Sequence, residues 1–127
     1  MSTTLFSGRF DPVHLGHVIS IAGLAQEFDN VLVVILDYPE SQYPVCYRKQ
    51  AMEEALKNIN GNFEVVVNHE HFGKISKDSL SEFNFDVYAS GNLEVLKHIE
   101  RLGFKTLYVE RAYDYSGTEI RMKNSSK

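Results

Sequence analysis

The chain has 127 residues, a formal net charge of -4 and 43% hydrophobic residues, which suits one folded domain over residues 1–127. The acidic balance disfavours a surface that coats nucleic acid, so we expect a small-molecule partner and no nucleic acid. No run approaches the roughly 18 apolar residues of a membrane span, and the single cysteine, Cys46, cannot form an internal disulfide. We therefore expect a cytoplasmic protein with no membrane partner.

Strand and helix patterns alternate along the chain. Short apolar runs predict five strands, over residues 3–7, 31–36, 63–67, 85–89 and 105–109. Apolar residues at helical spacing predict helices over residues 15–28, 48–59, 80–83 and 93–102, and a closing helix from about Gly117. Because such alternation implies parallel strands joined by right-handed crossovers, we predict an α/β fold. It is a three-layer sandwich, with a five-stranded parallel sheet and helices on both faces.

The polar segments of the chain follow predicted strands. Residues 8–17 follow the first strand, 37–48 the second, 90–92 the fourth and 111–121 the fifth. In open parallel sheets, ligands bind at the carboxyl ends of the strands, near the point where strand order reverses. The sequence therefore predicts one active site at this edge of the sheet.

The first polar segment has the features of a phosphate site. Gly8 permits a sharp turn, and the helix that follows presents its positive end to an anion. His14 and His17 share one face of that helix start. Gly16 lies between them and has no side chain that could block the approach of a ligand. An imidazolium pair would donate hydrogen bonds to the oxygens of a reacting α-phosphate, so we predict both histidines as catalytic residues. The predicted phosphate-binding residues of the loop are Gly8, Arg9, Phe10, Asp11 and Gly16.

Other interpretations of this loop stay open. Two histidines at this spacing can also cap a helix or bind zinc, although no nearby cysteine completes a zinc site. Asp11 is the only close carboxylate and is a candidate Mg²⁺ ligand, whereas Asp-Pro is also an ordinary turn opening.

A second segment near the far end, residues 115–121, complements the first. Ser116 can cap the closing helix, whose free N–H groups would face the β- and γ-phosphates, and Thr118 adds a hydroxyl donor. Arg121 follows about one turn later, where its guanidinium can neutralise a departing pyrophosphate. The alternative is a capped terminal helix with a solvated arginine.

Together, GRFDPVHLGH and YSGTEIR resemble the two signatures of the HxGH nucleotidyltransferase superfamily. The resemblance implies a Rossmann-like fold and a reaction of a nucleoside triphosphate with a phosphate-bearing small metabolite, which releases pyrophosphate. Mg²⁺ would accompany the triphosphate. By matching position, His14 and His17 would stabilise the α-phosphate, and Arg121 with Ser116 and Thr118 would hold the β- and γ-phosphates.

Within that superfamily the chain is most similar to the archaeal-type nicotinamide-nucleotide adenylyltransferases, with the glycerol-phosphate and choline-phosphate cytidylyltransferases next. The first resemblance implies ATP, with nicotinamide mononucleotide as the acceptor, and the second implies CTP; we favour adenylyl transfer. A non-catalytic nucleotide-binding module and a phosphohydrolase are the remaining alternatives, and relatives of this kind often form homo-oligomers. The first resemblance also implies further contacts to the nucleotide or its phosphates from Arg48, Gly91, Asn92, Arg111, Tyr115, Ser116 and Gly117.

Overall fold

Five strands and four helices alternate through residues 2–37, 40–69 and 75–110, the part of the chain that the computed structural model describes. The strands are β1 (Thr3–Gly8), β2 (Asn30–Leu36), β3 (Asn62–Asn68), β4 (Val87–Ser90) and β5 (Thr106–Tyr108). The helices are α1 (Leu15–Glu27), α2 (Val45–Leu56), α3 (Lys77–Ser81) and α4 (Leu93–Arg101). None of these helices is long and apolar enough to cross a membrane.

All neighbouring strands are parallel, in the order β3-β2-β1-β4-β5, which confirms the predicted three-layer α/β fold. From β1 the chain first builds the sheet outward through β2 and β3, and then returns to the other side of β1 to add β4 and β5. The strand order therefore reverses between β1 and β4. The carboxyl ends of these two strands, Gly8 and Ser90, flank the crevice where such sheets bind ligands.

The sheet is covered on both faces, which explains why β2 is continuously apolar from Val31 to Leu36 rather than alternating. One core cluster joins Leu5 of β1 and Tyr88 of β4 to Val95, Leu96 and Ile99 of α4. The other cluster joins alternate strand residues to α1 and α2, and it consists of Phe6, Phe10, Ile21, Leu24, Val31, Val33, Ile35, Met52, Leu56 and Ala89. The two core clusters place the first turns of α1 and α4 on opposite faces of the sheet, beside the end of β1.

Several element boundaries differ from the sequence prediction by up to three residues, and helix α3 begins at Lys77 rather than Leu80. Helix α2 begins at Val45 rather than Arg48, because Pro44 already has a helix-compatible φ of -59° and its carbonyl accepts the Arg48 N–H at 3.1 Å. Strand β4 begins at Val87 rather than Phe85, whose ring lies before the strand and packs against Phe104. The predicted closing helix from Gly117 lies outside the described residues.

Candidate active site

A pocket of about 540 Å³ lies at the reversal of strand order, within the size range of small-molecule sites. Its walls come from the ends of β1, β2, β4 and β5 and from the first turns of α1 and α4. The described residues that line it are Phe6, Ser7, Gly8, Arg9, Phe10, Asp11, Pro12, His14, His17, Ser20, Leu36, Glu40, Gln42, Ser90, Gly91, Asn92, Val95 and Val109. The predicted loop after β1 thus meets the predicted Gly91-Asn92 turn in one cavity.

His14 and His17 cap the first turn of α1 with their own rings. His14 Nδ1 accepts the backbone N–H of Gly16 at 3.1 Å, and His17 Nδ1 accepts the N–H of His14 at 3.1 Å. The rings stack with centroids 3.7 Å apart, and the Phe10 ring makes a T-shaped contact with His17 at a centroid distance of 4.8 Å. The spacing of the two histidines therefore places both rings in the pocket, as the helix geometry predicts.

The charge of the pair differs from the sequence prediction. Because each Nδ1 accepts a backbone N–H, each ring is a neutral imidazole that carries its hydrogen on Nε2. Burial, followed by the neighbouring His14, lowers the pKa of His17 to about 3, and burial also lowers the pKa of His14. The positive end of α1 opposes protonation as well. The expectation of an imidazolium pair is therefore wrong, and the rings are neutral hydrogen-bond donors through Nε2.

Phe10 is a buried aromatic residue that packs against the histidine pair. Its side chain is buried at 2% exposure, packs against Phe6 and His17, and has a left-handed φ of 50°. A Cβ at Gly8 would approach the Phe10 ring to 3.0 Å, so glycine gives this ring its room. The sequence interpretation of Gly8 and Phe10 as phosphate contacts thus misses their packing role.

Asp11 holds the loop that follows β2. Its Oδ2 accepts the N–H of Gln42 at 2.6 Å, and its Oδ1 accepts the N–H of Tyr43 at 2.8 Å. Arg9 lies 3.9 Å from the same carboxylate, whose side chain is only 7% exposed. Both oxygens are thus engaged by the protein. In the described part of the chain, no group of three or more His, Cys, Asp or Glu side chains is placed to hold a metal ion.

Arg48 is buried and does not line the pocket, which corrects its prediction as a phosphate ligand. Its guanidinium donates to the carbonyl oxygens of Tyr43, Arg9 and Leu36, at 3.0, 2.7 and 3.1 Å. A further bond reaches Asp37 Oδ1 at 3.3 Å. Since these acceptors come from three separate segments, Arg48 ties the loops after β1 and β2 together.

The opposite wall is built by the turn between β4 and α4. Ser90 Oγ accepts the N–H of Asn92 at 3.1 Å, and Asn92 Oδ1 accepts the N–H of Glu94 at 2.9 Å, which caps α4. Arg9 reaches the pocket from the β1 loop with 46% of its side chain exposed. Arg9 is the only arginine or lysine among the described lining residues.

The structure also adds pocket residues that the sequence interpretation missed. The polar ones are Ser7, Ser20, Glu40 and Gln42. Ser20 could have been found from its position three residues after His17 on the same helix, and Glu40 and Gln42 from their place after β2. Six predicted site residues lie outside the described residues and have no structural outcome, namely Arg111, Tyr115, Ser116, Gly117, Thr118 and Arg121.

The pocket lies where the strand order of a parallel sheet reverses, and the start of a helix presents two imidazoles to it. These features define a nucleotide-binding α/β protein. The sequence matches the model of the cytidylyltransferase-like family over residues 5–123. The chain therefore belongs to the cytidylyltransferase-like family, and it is a nucleotidyltransferase.

Several curated relatives have the same name. A phosphopantetheine adenylyltransferase of Lactococcus lactis subsp. cremoris (strain MG1363) is 39% identical over 129 residues, which cover 97% of this chain and 78% of that protein. Phosphopantetheine adenylyltransferases of Streptococcus pneumoniae strains CGSP14 and 70585 are each 38% identical over 68 residues. Those matches cover 52% of this chain and 41% of each relative. These relatives support adenylyl rather than cytidylyl transfer, and their name differs from the nicotinamide-nucleotide branch.

Proposed function

We propose that the chain transfers the adenylyl group of ATP to phosphopantetheine and releases pyrophosphate. The observation that carries the proposal is the pair of neutral imidazoles at the start of α1, inside the pocket at the reversal of strand order. The acceptor is proposed from the Lactococcus lactis relative, whose match extends over nearly all of this chain. ATP is preferred over CTP on the same ground.

The reaction is a direct displacement at the α-phosphorus. A phosphate oxygen of the acceptor forms the new P–O bond, and the bond from the α-phosphorus to the oxygen that bridges to the β-phosphate breaks. An acceptor phosphate is already largely deprotonated at neutral pH, so the attack needs no general base. The chain contributes positioning and hydrogen-bond donors, which is what such transfers require of a protein.

His14 and His17 would donate from Nε2 to the non-bridging oxygens of the α-phosphate, which gain charge during the transfer. Donors held in place before the reaction are effective because they cost no reorganisation at the transition state. The backbone bonds at Nδ1, the ring stacking and the Phe10 contact hold both rings in this orientation. A neutral ring also keeps its Nε2 hydrogen throughout, so no proton is exchanged with the substrate.

Mg²⁺ belongs to the proposal as a companion of the triphosphate. Both carboxylate oxygens of Asp11 already accept backbone N–H groups, so the ion would be held by phosphate oxygens and water. A cytoplasmic location and homo-oligomer formation stay predictions of the sequence.

The experiment is a screen for pyrophosphate release. ATP and CTP are each combined with phosphopantetheine, nicotinamide mononucleotide, glycerol phosphate and choline phosphate. We expect release only with ATP and phosphopantetheine, and loss of that release in His17→Asn. Release with CTP and glycerol phosphate, or with ATP and nicotinamide mononucleotide, would replace the proposed acceptor. If the protein bound ATP but released no pyrophosphate with any of these acceptors, the proposed catalytic activity would be contradicted.

A further inference from the structure

Ser7, the residue before Gly8 at the end of β1, has a buried hydroxyl without a hydrogen-bond partner. The residue is 4% exposed, and its Oγ is one of two such side-chain atoms in the described residues, the other being Ser41 Oγ. Buried hydroxyls in native proteins nearly always have a partner, and an exception calls for a specific explanation. Ser7 lines the pocket and Ser41 does not, so a ligand can explain the first and not the second.

The position of Ser7 in the sheet shows which wall of the pocket it belongs to. Side chains alternate along a strand, so Ser7 lies on the same face as Leu5, which packs in the cluster with α4. Ser90, at the end of the neighbouring strand β4, also lines the pocket and already accepts the N–H of Asn92. Of two hydroxyls at the ends of adjacent strands, one is thus satisfied by the protein and the other is not.

We propose that Ser7 Oγ donates a hydrogen bond to a phosphate oxygen of a bound substrate. The inference rests on the proposed function and names a contact of the same site. Ser7 directly precedes Gly8 and Arg9 in the loop that leads to the histidine pair, and a hydroxyl is a good donor to an anionic oxygen. The phosphate can come from ATP or from the acceptor, and one hydroxyl hydrogen can serve only one of them.

The test measures binding of each substrate separately, by calorimetry, to the wild-type protein and to Ser7→Ala. ATP with Mg²⁺ is titrated in one arm and phosphopantetheine in the other, so that no turnover occurs. A hydrogen bond to a charged group corresponds to about a tenfold or larger loss of affinity, and we expect it in one arm only. If Ser7→Ala had the wild-type Kd for both substrates, or lost affinity equally for both, the assignment would be overturned.

Ser41→Ala is the matched control, since it removes the other unpartnered hydroxyl outside the pocket. We expect unchanged affinity for both substrates in this variant. Without ligand, Ser7→Ala should unfold at the wild-type temperature or above it, because replacing an unpartnered buried hydroxyl removes no contact. A lower unfolding temperature would assign Ser7 a structural role and contradict the inference. Ser7→Cys, which keeps the side-chain shape with a larger and weaker donor, should show a smaller loss in the same arm.

Failure of the inference and failure of the proposed function give different results. If the wild-type protein binds ATP but releases no pyrophosphate with phosphopantetheine, the proposed acceptor is wrong. The effect of Ser7→Ala on ATP binding can still be measured in that case. Wild-type protein that releases pyrophosphate while Ser7→Ala binds both substrates normally would defeat only the role of Ser7.

Discussion

Helices α1 and α2 begin at the same edge of the sheet, but their first turns are held in opposite ways. The start of α1 is capped by its own histidine rings, each of which accepts a backbone N–H at Nδ1. The start of α2 has no side-chain cap, and its Arg48 reaches back to three carbonyl oxygens of other segments. The first arrangement presents donors to the pocket, and the second fixes the loops around it.

The comparison shows that a charged residue near a phosphate site is not thereby a phosphate ligand. Arg9 and Arg48 both lie beside the loop after β1, and the sequence interpretation treats them alike. Arg48 is 1% exposed and its guanidinium is surrounded by protein oxygens, whereas Arg9 extends into the pocket. What separates them is the supply of backbone carbonyls within reach, which only the folded chain determines.

Replacement of Arg48 should have the largest effect on stability. Arg48→Ala removes a donor from the carbonyls of Arg9 and Leu36 and from Asp37 Oδ1, while Asp37 Oδ2 keeps its contact with His69 Nδ1 at 2.9 Å. We expect a loss of about 3–5 kcal/mol in the free energy of unfolding. Arg9→Ala is the matched control, with a change of about 0.5 kcal/mol or less, because the side chain is half exposed. Urea unfolding measures both. A stable Arg48→Ala protein with weakened ATP binding would restore the role of a phosphate ligand.

Replacement of His17 should have the next largest effect, on turnover. Asn places a carbonyl oxygen near the position of Nδ1 but lacks the Nε2 donor, so His17→Asn should keep its stability and lose about 10²–10³-fold in kcat. Gln places an amide near Nε2 without the cap, so His17→Gln should retain more activity and lose about 1 kcal/mol of stability. Kinetics and thermal unfolding of the pair separate the two nitrogens. Equal kcat in both variants would contradict this division.

Asp11→Asn tests whether the carboxylate holds the loop or a metal ion. One amide nitrogen would replace an oxygen that accepts a backbone N–H from Gln42 or Tyr43, and we expect a loss of about 1–3 kcal/mol in unfolding free energy. The Mg²⁺ concentration that gives half-maximal activity should stay at the wild-type value. A large increase in that concentration would reinstate Asp11 as a metal ligand.

The pH dependence of stability tests the neutral state of the rings. The pKa of His17 is lowered to about 3 in the folded chain, so between pH 6.5 and 3 the unfolded chain binds a proton that the folded chain does not. Stability should therefore fall as the pH falls through this window, by up to about 1.4 kcal/mol per pH unit, and His17 should contribute no slope above it. His17→Asn should have a shallower slope, and identical slopes would refute the lowered pKa.

The sequence predicts the fold better than it predicts the roles of polar side chains. The continuous apolar run of β2 and the apolar face of α4 are local patterns, and both elements lie where expected. The sequence predicts the start of α2 three residues too late, because a proline can begin a helix without any side-chain cap. The charge of His14 and His17 could not be predicted either, since it depends on which ring nitrogen accepts a backbone N–H. Ser7 lines the pocket although it belongs to a strand, and that placement depends on how β1 packs beside β4.

Transfer of a nucleotidyl group at the α-phosphorus can be followed with ATP that carries a radioactive label at that phosphorus, incubated with the protein and phosphopantetheine. We expect the label in the acceptor product, together with unlabelled pyrophosphate. Label recovered only as AMP, or, in a parallel reaction with γ-labelled ATP, transfer of that label to the acceptor, would refute transfer at the α-phosphorus.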